Sequence, residues 1–162
     1  MDELDRQPGT LDTDHVEVRT LSQDDLDWVV RIDQQHSGRS RREYYRVKLA
    51  EAKEDTGVRI SLAALVKGEP AGFMTGRLYY GEFGLPEPVA ILDSLGVSPA
   101  FAGHRVGKAL LQQLGTNLRA LGIEKIETEV EWDHVGLLGF FQHAGFRPAP
   151  RLCLELDLGQ VR

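Results

Sequence analysis

The chain has 162 residues, of which 41% are hydrophobic and 27% are charged, values typical of one soluble globular domain. Its net charge of −6 argues against general nucleic-acid binding, which needs a basic face. No apolar run approaches the roughly 20 residues of a membrane span, and the single cysteine, Cys153, excludes an internal disulfide. Because the acidic first 15 residues lack the order of a signal peptide, we expect a flexible leader before one cytoplasmic domain over residues 16–162.

The first third of the chain predicts one strand and two helices. Residues 16–21 alternate like a strand, and Ser22 followed by Asp25 is a capping-box pattern that begins a helix. A second helix is expected over residues 40–52. The apolar positions that carry the two helical periods are Leu26, Val29, Val30, Tyr44, Tyr45, Val47, Leu49 and Ala52.

The middle third predicts a hairpin, a strand and a long helix. Apolar runs over residues 58–66 and 70–80 flank a short Gly-containing turn, which indicates an antiparallel hairpin. Residues 89–97 form an apolar run that ends before Ser98-Pro99, and a helix is expected from residue 106 until Gly122 ends it. The apolar stripe of that helix is Val106, Leu110, Leu111, Leu114, Leu118 and Leu121.

The last third predicts a strand over residues 125–132, a short helix over 134–145 and a final strand over 151–158 that contains Cys153 as a core or strand residue. The resulting order is β-α-α-β-β-β-α-β-α-β, with a βαβ unit over residues 89–132. This order predicts an α/β (α+β) fold with a mixed, mostly antiparallel sheet flanked by helices.

The segment "SPAFAGHRVG" joins the strand and the helix of the βαβ unit. Free N–H groups at a helix start, together with the helix dipole, make an anion site. Gly103 and Gly107 allow a ligand to approach the backbone, while Arg105, Lys108 and His104 add polar side chains. The spacing is neither the dinucleotide fingerprint nor a phosphate-binding P-loop. An ordinary turn with solvated basic residues is the alternative.

Carboxylates on two strands are candidate general bases. Asp93 lies in an otherwise apolar strand, on the alternating face of Leu95 and Val97, where a carboxylate must be paired, at a strand end or in a cleft. Three glutamates of the next strand alternate with Ile126, Thr128, Val130 and Trp132, and the alternative is that they form a solvated strand face: Glu127, Glu129 and Glu131.

These segments resemble the GCN5-related N-acetyltransferases (GNAT), which bind acetyl-CoA and acetylate amines. "LDSLGVSPAFAGHRVGKALLQQL" is similar to the family's strand, Val-x-Pro corner and helix, and "GFFQHAGF" is similar to its late Phe-Tyr-x-x-x-Gly-Phe element. The family's Gln/Arg-x-x-Gly-x-Gly/Ala signature falls on residues 102–107, where Gly107 matches, Ala102 replaces Gln/Arg and Arg105 replaces the first glycine. The resemblance covers residues 16–158.

The resemblance implies a GNAT-like acyl-CoA N-acyltransferase fold with acetyl-CoA as co-substrate and no metal. Backbone groups of Leu95 and Val97 would pair with the pantetheine arm like an added strand, and N–H groups from Gly103 to Ala109 would face the pyrophosphate. The implied CoA-binding set is Leu95, Gly96, Val97, Ala102, Gly103, His104, Arg105, Val106, Gly107, Lys108, Ala109, His134 and Phe141.

"TEVEWDH" is similar to the Glu-Val-x-x-x-Asn stretch of ribosomal-protein N-terminal acetyltransferases. This likeness implies Glu129 as the general base and His134 in place of the Asn that contacts the CoA arm, although His134 can equally be a helix-start residue. Phe141 falls on the family's usual Tyr general acid and cannot donate a proton, so we expect a core or pocket-wall aromatic. Tyr79 or Tyr80 could supply a hydroxyl instead.

The acceptor pocket would be formed by the first two helices and the "YYGEFGLPEP" loop, where acids favour a cationic amine. Its candidate residues are Tyr79, Tyr80, Glu82, Asp93, Glu129 and Glu131. We expect an N-acetyltransferase that acts on a small molecule, a protein N-terminus or a lysine in a ternary complex. We expect no nucleic-acid or membrane partner, and a homodimer is the candidate assembly. The alternatives are a non-catalytic acyl-CoA-binding regulatory module and a dimerisation unit without a CoA site.

Overall fold

A computed structural model of the chain describes residues 15–54, 60–80, 84 and 86–160, with the side chains of 52–54 excepted. These residues form two compact units, one that ends at Glu129 and one that begins at Val130. All of the expected leader except His15 lies outside the described residues, as does Glu82. Within the described ranges, no helix is both long and apolar enough to cross a membrane.

The described strands of the first unit form one five-stranded sheet in the order β1-β2-β3-β4-β5. The three pairings from β1 to β4 are antiparallel, and β4 pairs with β5 in parallel. The predicted fold class, a mixed and mostly antiparallel sheet flanked by helices, is therefore confirmed. The strands are β1 (Val16–Thr20), β2 (Leu62–Val66), β3 (Glu69–Tyr79), β4 (Val89–Val97) and β5 (Ile126–Thr128).

Helices of the first unit cover both faces of the sheet, and the described ones are α1 (Leu26–Ser37), α2 (Arg42–Glu54) and α3 (Val106–Ala120). Adjacent residues of a strand point to opposite faces. Phe73 of β3 packs edge-on against Trp28 of α1 and Tyr45 of α2, with ring centroids 6.4 and 5.4 Å apart. Its neighbour Gly72 faces α3, since a Cβ there would lie 2.7 Å from Val106 Cγ1.

The capping box predicted for the first helix is present. The Asp25 carboxylate accepts a hydrogen bond from the Ser22 N–H at 2.8 Å and two more from the Arg19 guanidinium, each at 2.8 Å. A short 3₁₀ turn at Gln23–Asp25 leads into α1. Burial alone would raise the pKa of Asp25, but these hydrogen bonds and the Arg19 charge outweigh it and hold the pKa below its usual range.

The second unit contains α4 (Val135–His143), and the predicted stop at Gly145 is confirmed by its left-handed φ of 99°. Residues 151–158, by contrast, lie in no helix or strand, so the predicted final strand is wrong. A strand needs a partner for its backbone N–H and C=O groups, and side-chain alternation does not provide one. The exposed residues of this segment include Cys153, Leu152, Leu154, Leu156 and Leu158.

Two further boundaries differ from the predictions. The strand expected over residues 125–132 ends at Thr128, after only three residues of pairing with β4. Leu121 is 49% exposed because it lies beyond the last residue of α3 and no longer shares the apolar stripe of that helix.

Candidate functional site

The central feature of the site is a fork where β5 leaves β4. The parallel pairing ends with Leu92 opposite Thr128, whose hydroxyl also donates to the Leu92 carbonyl at 3.1 Å. β4 continues for five residues to Val97. None of the described strands pairs with this part of β4 on the β5 side, and we call this unpaired stretch the open edge of β4.

Alternation of the backbone identifies which groups line the open edge. The Ser98 N–H donates to the Ala71 carbonyl of the neighbouring strand region at 2.8 Å, so Ser98 and Gly96 direct their backbone groups toward β3. Leu95 and Val97 therefore direct theirs away from β3, toward the fork. These are the two residues that the sequence analysis expected to hold an added strand.

A one-residue bulge changes the orientation of Asp93. Thr75 pairs with Ser94 but Gly76 pairs with Leu92, which leaves Asp93 without a partner. The Ser94 hydroxyl hydrogen-bonds that of Thr75, and the Asp93 carboxylate lies 3.5 Å from the Lys48 ammonium of α2. Both side chains are thus on the α2 face, because an extra residue reverses the alternation.

The predicted shared face of Asp93 with Leu95 and Val97 is therefore wrong. Leu95 is directly opposite Met74, which shares the face of Gly72 and hence of α3. The bulge separates a carboxylate on the α2 face from two apolar side chains on the α3 face.

Asp93 lies among cations, with its side chain only 13% exposed. In addition to Lys48, the Arg77 Nε lies 3.8 Å from the carboxylate, and the Arg77 guanidinium lies 4.6 Å from the ring centroid of Tyr79. Two cationic side chains thus lie beside the Asp93 carboxylate and offset its charge. Burial, and secondly the Asp93 charge, raise the pKa of the nearby Tyr44.

A buried polar network that the sequence analysis missed joins α1 to α2. The Asp33 carboxylate accepts hydrogen bonds from Arg41 Nε at 2.8 Å, from Arg41 Nη2, and from the Tyr45 hydroxyl at 2.9 Å. Burial alone would raise the pKa of Asp33, but the bonds from Arg41 and Tyr45 outweigh it and lower that pKa. The signal in the sequence was a carboxylate beside the apolar Ile32, on the face that α1 buries.

The turn after β4 leads to α3 through a 3₁₀ turn at Pro99–Phe101. Arg105, the N-cap residue of α3, has φ 58° and ψ 33°, the left-handed conformation that glycine adopts most easily. The arginine that replaces the motif glycine thus keeps a glycine-like backbone. Gly103 also has a positive φ of 83°.

The first N–H groups of α3 lack acceptors one turn earlier, as in every helix, and the Arg105 side chain makes no capping hydrogen bond. Four of the predicted contact residues are exposed and three are buried. The exposed residues are Ala102, Gly103, His104 and Lys108, and the buried ones are Val106, Gly107 and Ala109. The Ala109 N–H already donates to the Arg105 carbonyl at 3.0 Å, and the His104 N–H donates to the Phe101 carbonyl at 3.1 Å, so the prediction that these two N–H groups face a pyrophosphate is wrong.

Glu129, the second candidate base, is exposed and follows the last residue of β5. Because Thr128 is opposite Leu92, Glu129 and Asp93 are the first residues after the paired positions of their strands. The fold thus places the backbone positions of these two acidic residues at the same fork. Tyr79 is half-buried at the end of β3, and Tyr80 is 66% exposed.

Within the second unit, His134 is the N-cap of α4, and its Nδ1 accepts from the Leu137 N–H at 3.2 Å. Its helix-start interpretation is confirmed. Phe141 is 5% exposed and packs against Phe146, with ring centroids 4.8 Å apart, as expected for a core aromatic. Glu131 is exposed before this helix.

The model of the acetyltransferase (GNAT) family matches residues 21–146, and the chain belongs to this family. A ribosomal-protein-alanine N-acetyltransferase from Brucella melitensis biovar Abortus 2308 is similar in structure, with a TM-score of 0.70 and 17% identity over 89% of this chain and 99% of that one. The aminoglycoside acetyltransferase AAC(6')-Iy, bound to a CoA bisubstrate analogue, is similar with a TM-score of 0.67 and 18% identity over 88% of this chain and 98% of that one.

A transcriptional regulator from Bacillus halodurans C-125 is also similar, with a TM-score of 0.70 and 19% identity over 89% of this chain and 100% of that one. At such identities the likeness establishes a common fold. The same architecture is thus found in proteins described as enzymes and in one described as a regulator, so function must be argued from this chain's own residues.

Proposed function

We propose that the protein transfers an acetyl group from acetyl-CoA to a primary amine. The observation that carries the proposal is the open edge of β4 beyond Leu92, where Leu95 and Val97 direct their backbone groups into the fork. An extended arm with amide groups can pair with such an edge as an additional strand. Acetyl-CoA would supply the acetyl thioester at the end of this arm.

The turn at the start of α3 would hold the pyrophosphate of the same ligand. Unsatisfied N–H groups and the helix dipole favour an anion there, and Lys108 adds an exposed positive charge. The left-handed backbone of Arg105 preserves the turn that the family motif makes with glycine. Ala102 in place of Gln/Arg removes one polar side chain from this region without removing backbone donors.

The two binding features fix the direction of the arm. The α3 turn follows the carboxyl end of β4, so an arm that starts at this turn would run back along the edge from Val97 toward Asp93. The thioester would then fall at the fork, beside the backbone positions of Asp93 and Glu129. This supports a reaction centre at the point where β4 and β5 separate.

An acceptor amine must lose a proton to act as a nucleophile, and we assign proton acceptance to Glu129. Glu129 is exposed at the fork, whereas Asp93 is largely buried and already contacts Lys48 and Arg77. Asp93 would instead form part of the acceptor wall. Phe141 cannot donate a proton, but an ordinary thiol has a pKa of about 8.5, so departure of a thiolate does not depend on an acid there.

The acceptor class that we propose is a small-molecule amine or a protein N-terminus or lysine. Support comes from the neighbours, which include an aminoglycoside acetyltransferase in complex with sisomicin and a ribosomal-protein-alanine N-acetyltransferase. Tyr79 and Tyr80, at and after the end of β3, would border the acceptor.

Thiol release from acetyl-CoA over a panel of amines and N-terminal peptides tests this function. We expect at least one acceptor to give release above the rate without amine, together with a higher melting temperature in the presence of acetyl-CoA. No thermal shift at saturating acetyl-CoA would refute both CoA-based interpretations.

The buried Phe141 in place of a tyrosine favours one alternative, a non-catalytic acyl-CoA-binding module. That alternative predicts a clear thermal shift with acetyl-CoA and no thiol release with any member of the panel. The two measurements therefore separate an enzyme from a binding module of the same fold.

A further inference from the structure

His36 contacts the open edge of β4. It lies in the last turn of α1 and is exposed, and its Nε2 lies 2.6 Å from the carbonyl oxygen of Val97. A carbonyl can only accept a hydrogen bond, so the ring nitrogen must be the donor. The end of a helix is thus bonded directly to the last residue of the open edge.

The packing below this contact fixes α1 close to β4. A Cβ built on Gly96 would lie 2.5 Å from Phe73 Cε1, which would force the ring to shift, and 3.2 Å from Ile32 Cγ2, which is a tight contact. Ile32 precedes His36 by one turn of α1. The absence of a side chain at Gly96 therefore lets α1 approach the strand, and His36 extends the contact to the edge.

The peptide group between Val97 and Ser98 is held from both sides. Its N–H donates to the Ala71 carbonyl at 2.8 Å, and its carbonyl accepts from His36. These two bonds fix the orientation of the peptide plane at the end of the edge that lies next to the α3 turn. The Val97 N–H and the backbone groups of Leu95 are then the edge groups that remain for a ligand.

We propose that His36 is a positioning residue for the ligand arm, because its bond to the Val97 carbonyl orients the edge groups at the entrance of the fork. This inference rests on the proposed function, since it assigns the residue to the acetyl-CoA site. His36 acts through Val97 and takes no part in proton transfer. It determines how tightly the arm binds and not how fast the bound acetyl group reacts.

The test is calorimetric titration of CoA into the wild type and three variants. We expect His36→Ala to weaken CoA binding about three- to tenfold, the range of one lost hydrogen bond. His36→Gln, whose amide can donate to the same carbonyl, should restore most of the affinity. Gln35→Ala, an exposed neighbour in the same helix, is the matched control and should bind CoA as the wild type does.

A second ligand separates positioning of the arm from a general structural effect. The nucleotide 3′-phospho-ADP has the pyrophosphate of CoA but lacks the arm, so His36→Ala should leave its affinity unchanged. In turnover assays the same variant should raise KM for acetyl-CoA by the factor seen in binding, with kcat within about twofold of wild type.

Three results would overturn the assignment. His36→Ala could bind CoA as tightly as the wild type, or it could bind CoA more tightly, which would mean that His36 competes with the arm. The variant could also weaken the binding of CoA and of 3′-phospho-ADP by the same factor. A wild type that does not bind CoA would instead refute the proposed function itself. The two failures are therefore distinguishable in one set of titrations.

Discussion

The Lys48 ammonium lies 3.5 Å from the Asp93 carboxylate, and both side chains are largely shielded from solvent. The bulge in β4 produces this contact by turning Asp93 toward α2. As a result, one of the two acidic residues at the fork already has a cationic partner, while Glu129 is exposed. This difference in surroundings separates their expected roles.

Glu129→Gln should lower kcat about 10²- to 10⁴-fold, the usual contribution of a general base, without changing CoA affinity. Asp93→Asn should lower kcat by less than roughly tenfold, because its carboxylate is engaged by Lys48 and Arg77 and does not accept the proton of the amine. Thiol-release kinetics and CoA titration of both variants measure these effects. If Asp93→Asn shows the large loss and Glu129→Gln keeps wild-type kcat, the two roles must be exchanged.

Arg105 should carry a conformational cost that glycine relieves. A left-handed residue with a Cβ costs about 1–2 kcal/mol, and Arg105 has a φ of 58°. We expect Arg105→Gly to be more stable than Arg105→Ala by about 1 kcal/mol, or about 2–4 °C in melting temperature. Both variants lack the arginine side chain, so their difference isolates the backbone. Equal melting temperatures would argue against a strained N-cap.

Gly96→Ala should destabilise the fold by about 1–3 kcal/mol, because the new Cβ would meet the Phe73 ring at 2.5 Å. Gly115→Ala is the matched control. The three atoms nearest to its Cβ would all belong to the flexible end of Arg119, at 3.3 Å or more. Alanine is a better helix former than glycine, so this variant should raise the free energy of unfolding by up to about 1 kcal/mol. Denaturant unfolding of both variants checks the opposite signs, and a Gly96→Ala protein as stable as the wild type would contradict the close approach of α1.

Asp33→Asn should cost about 1–3 kcal/mol of unfolding free energy at pH 7, the penalty for weakening a buried charged hydrogen-bond group. The pKa of Asp33 is lower in the folded protein than in the unfolded chain, where it is about 3.9. The contribution of the Asp33 carboxylate to the free energy of unfolding is therefore complete above about pH 4, and it is lost as the pH falls through the pKa of the folded protein. The stability difference between wild type and variant should shrink below pH 4 in denaturant titrations; a constant difference would exclude this linkage.

Local sequence patterns were sufficient to predict most of the helices and strands. The capping pattern at Ser22 and Asp25, the apolar period of α3 and the glycine stop after α4 depend on residues within one or two turns of each other. Such patterns are visible in one sequence. The same holds for the loop before α3, whose backbone donors follow from the existence of a helix start.

Long-range pairing was not visible in the same way. The apolar alternation of residues 151–158 predicted a strand, yet no strand forms there, because backbone pairing depends on a partner that alternation does not specify. The bulge at Asp93 was missed for a related reason: the register of β4 is set against β3, and a one-residue shift leaves no mark in the sequence of β4.

The sequence by itself determined the fold class and the helix that follows β4, because both rest on local periodicity or on the order of elements. It also offered Asp93 and Glu129 as candidate bases, Glu129 through the family resemblance, but it did not predict that the two positions meet at one fork. Only the tertiary structure decided which way Asp93 points, that Lys48 and Arg77 lie beside it, and that His36 bonds to Val97 from 61 residues away. Those relationships arise where separate elements pack, and packing depends on register and on glycines such as Gly96 that permit close approach.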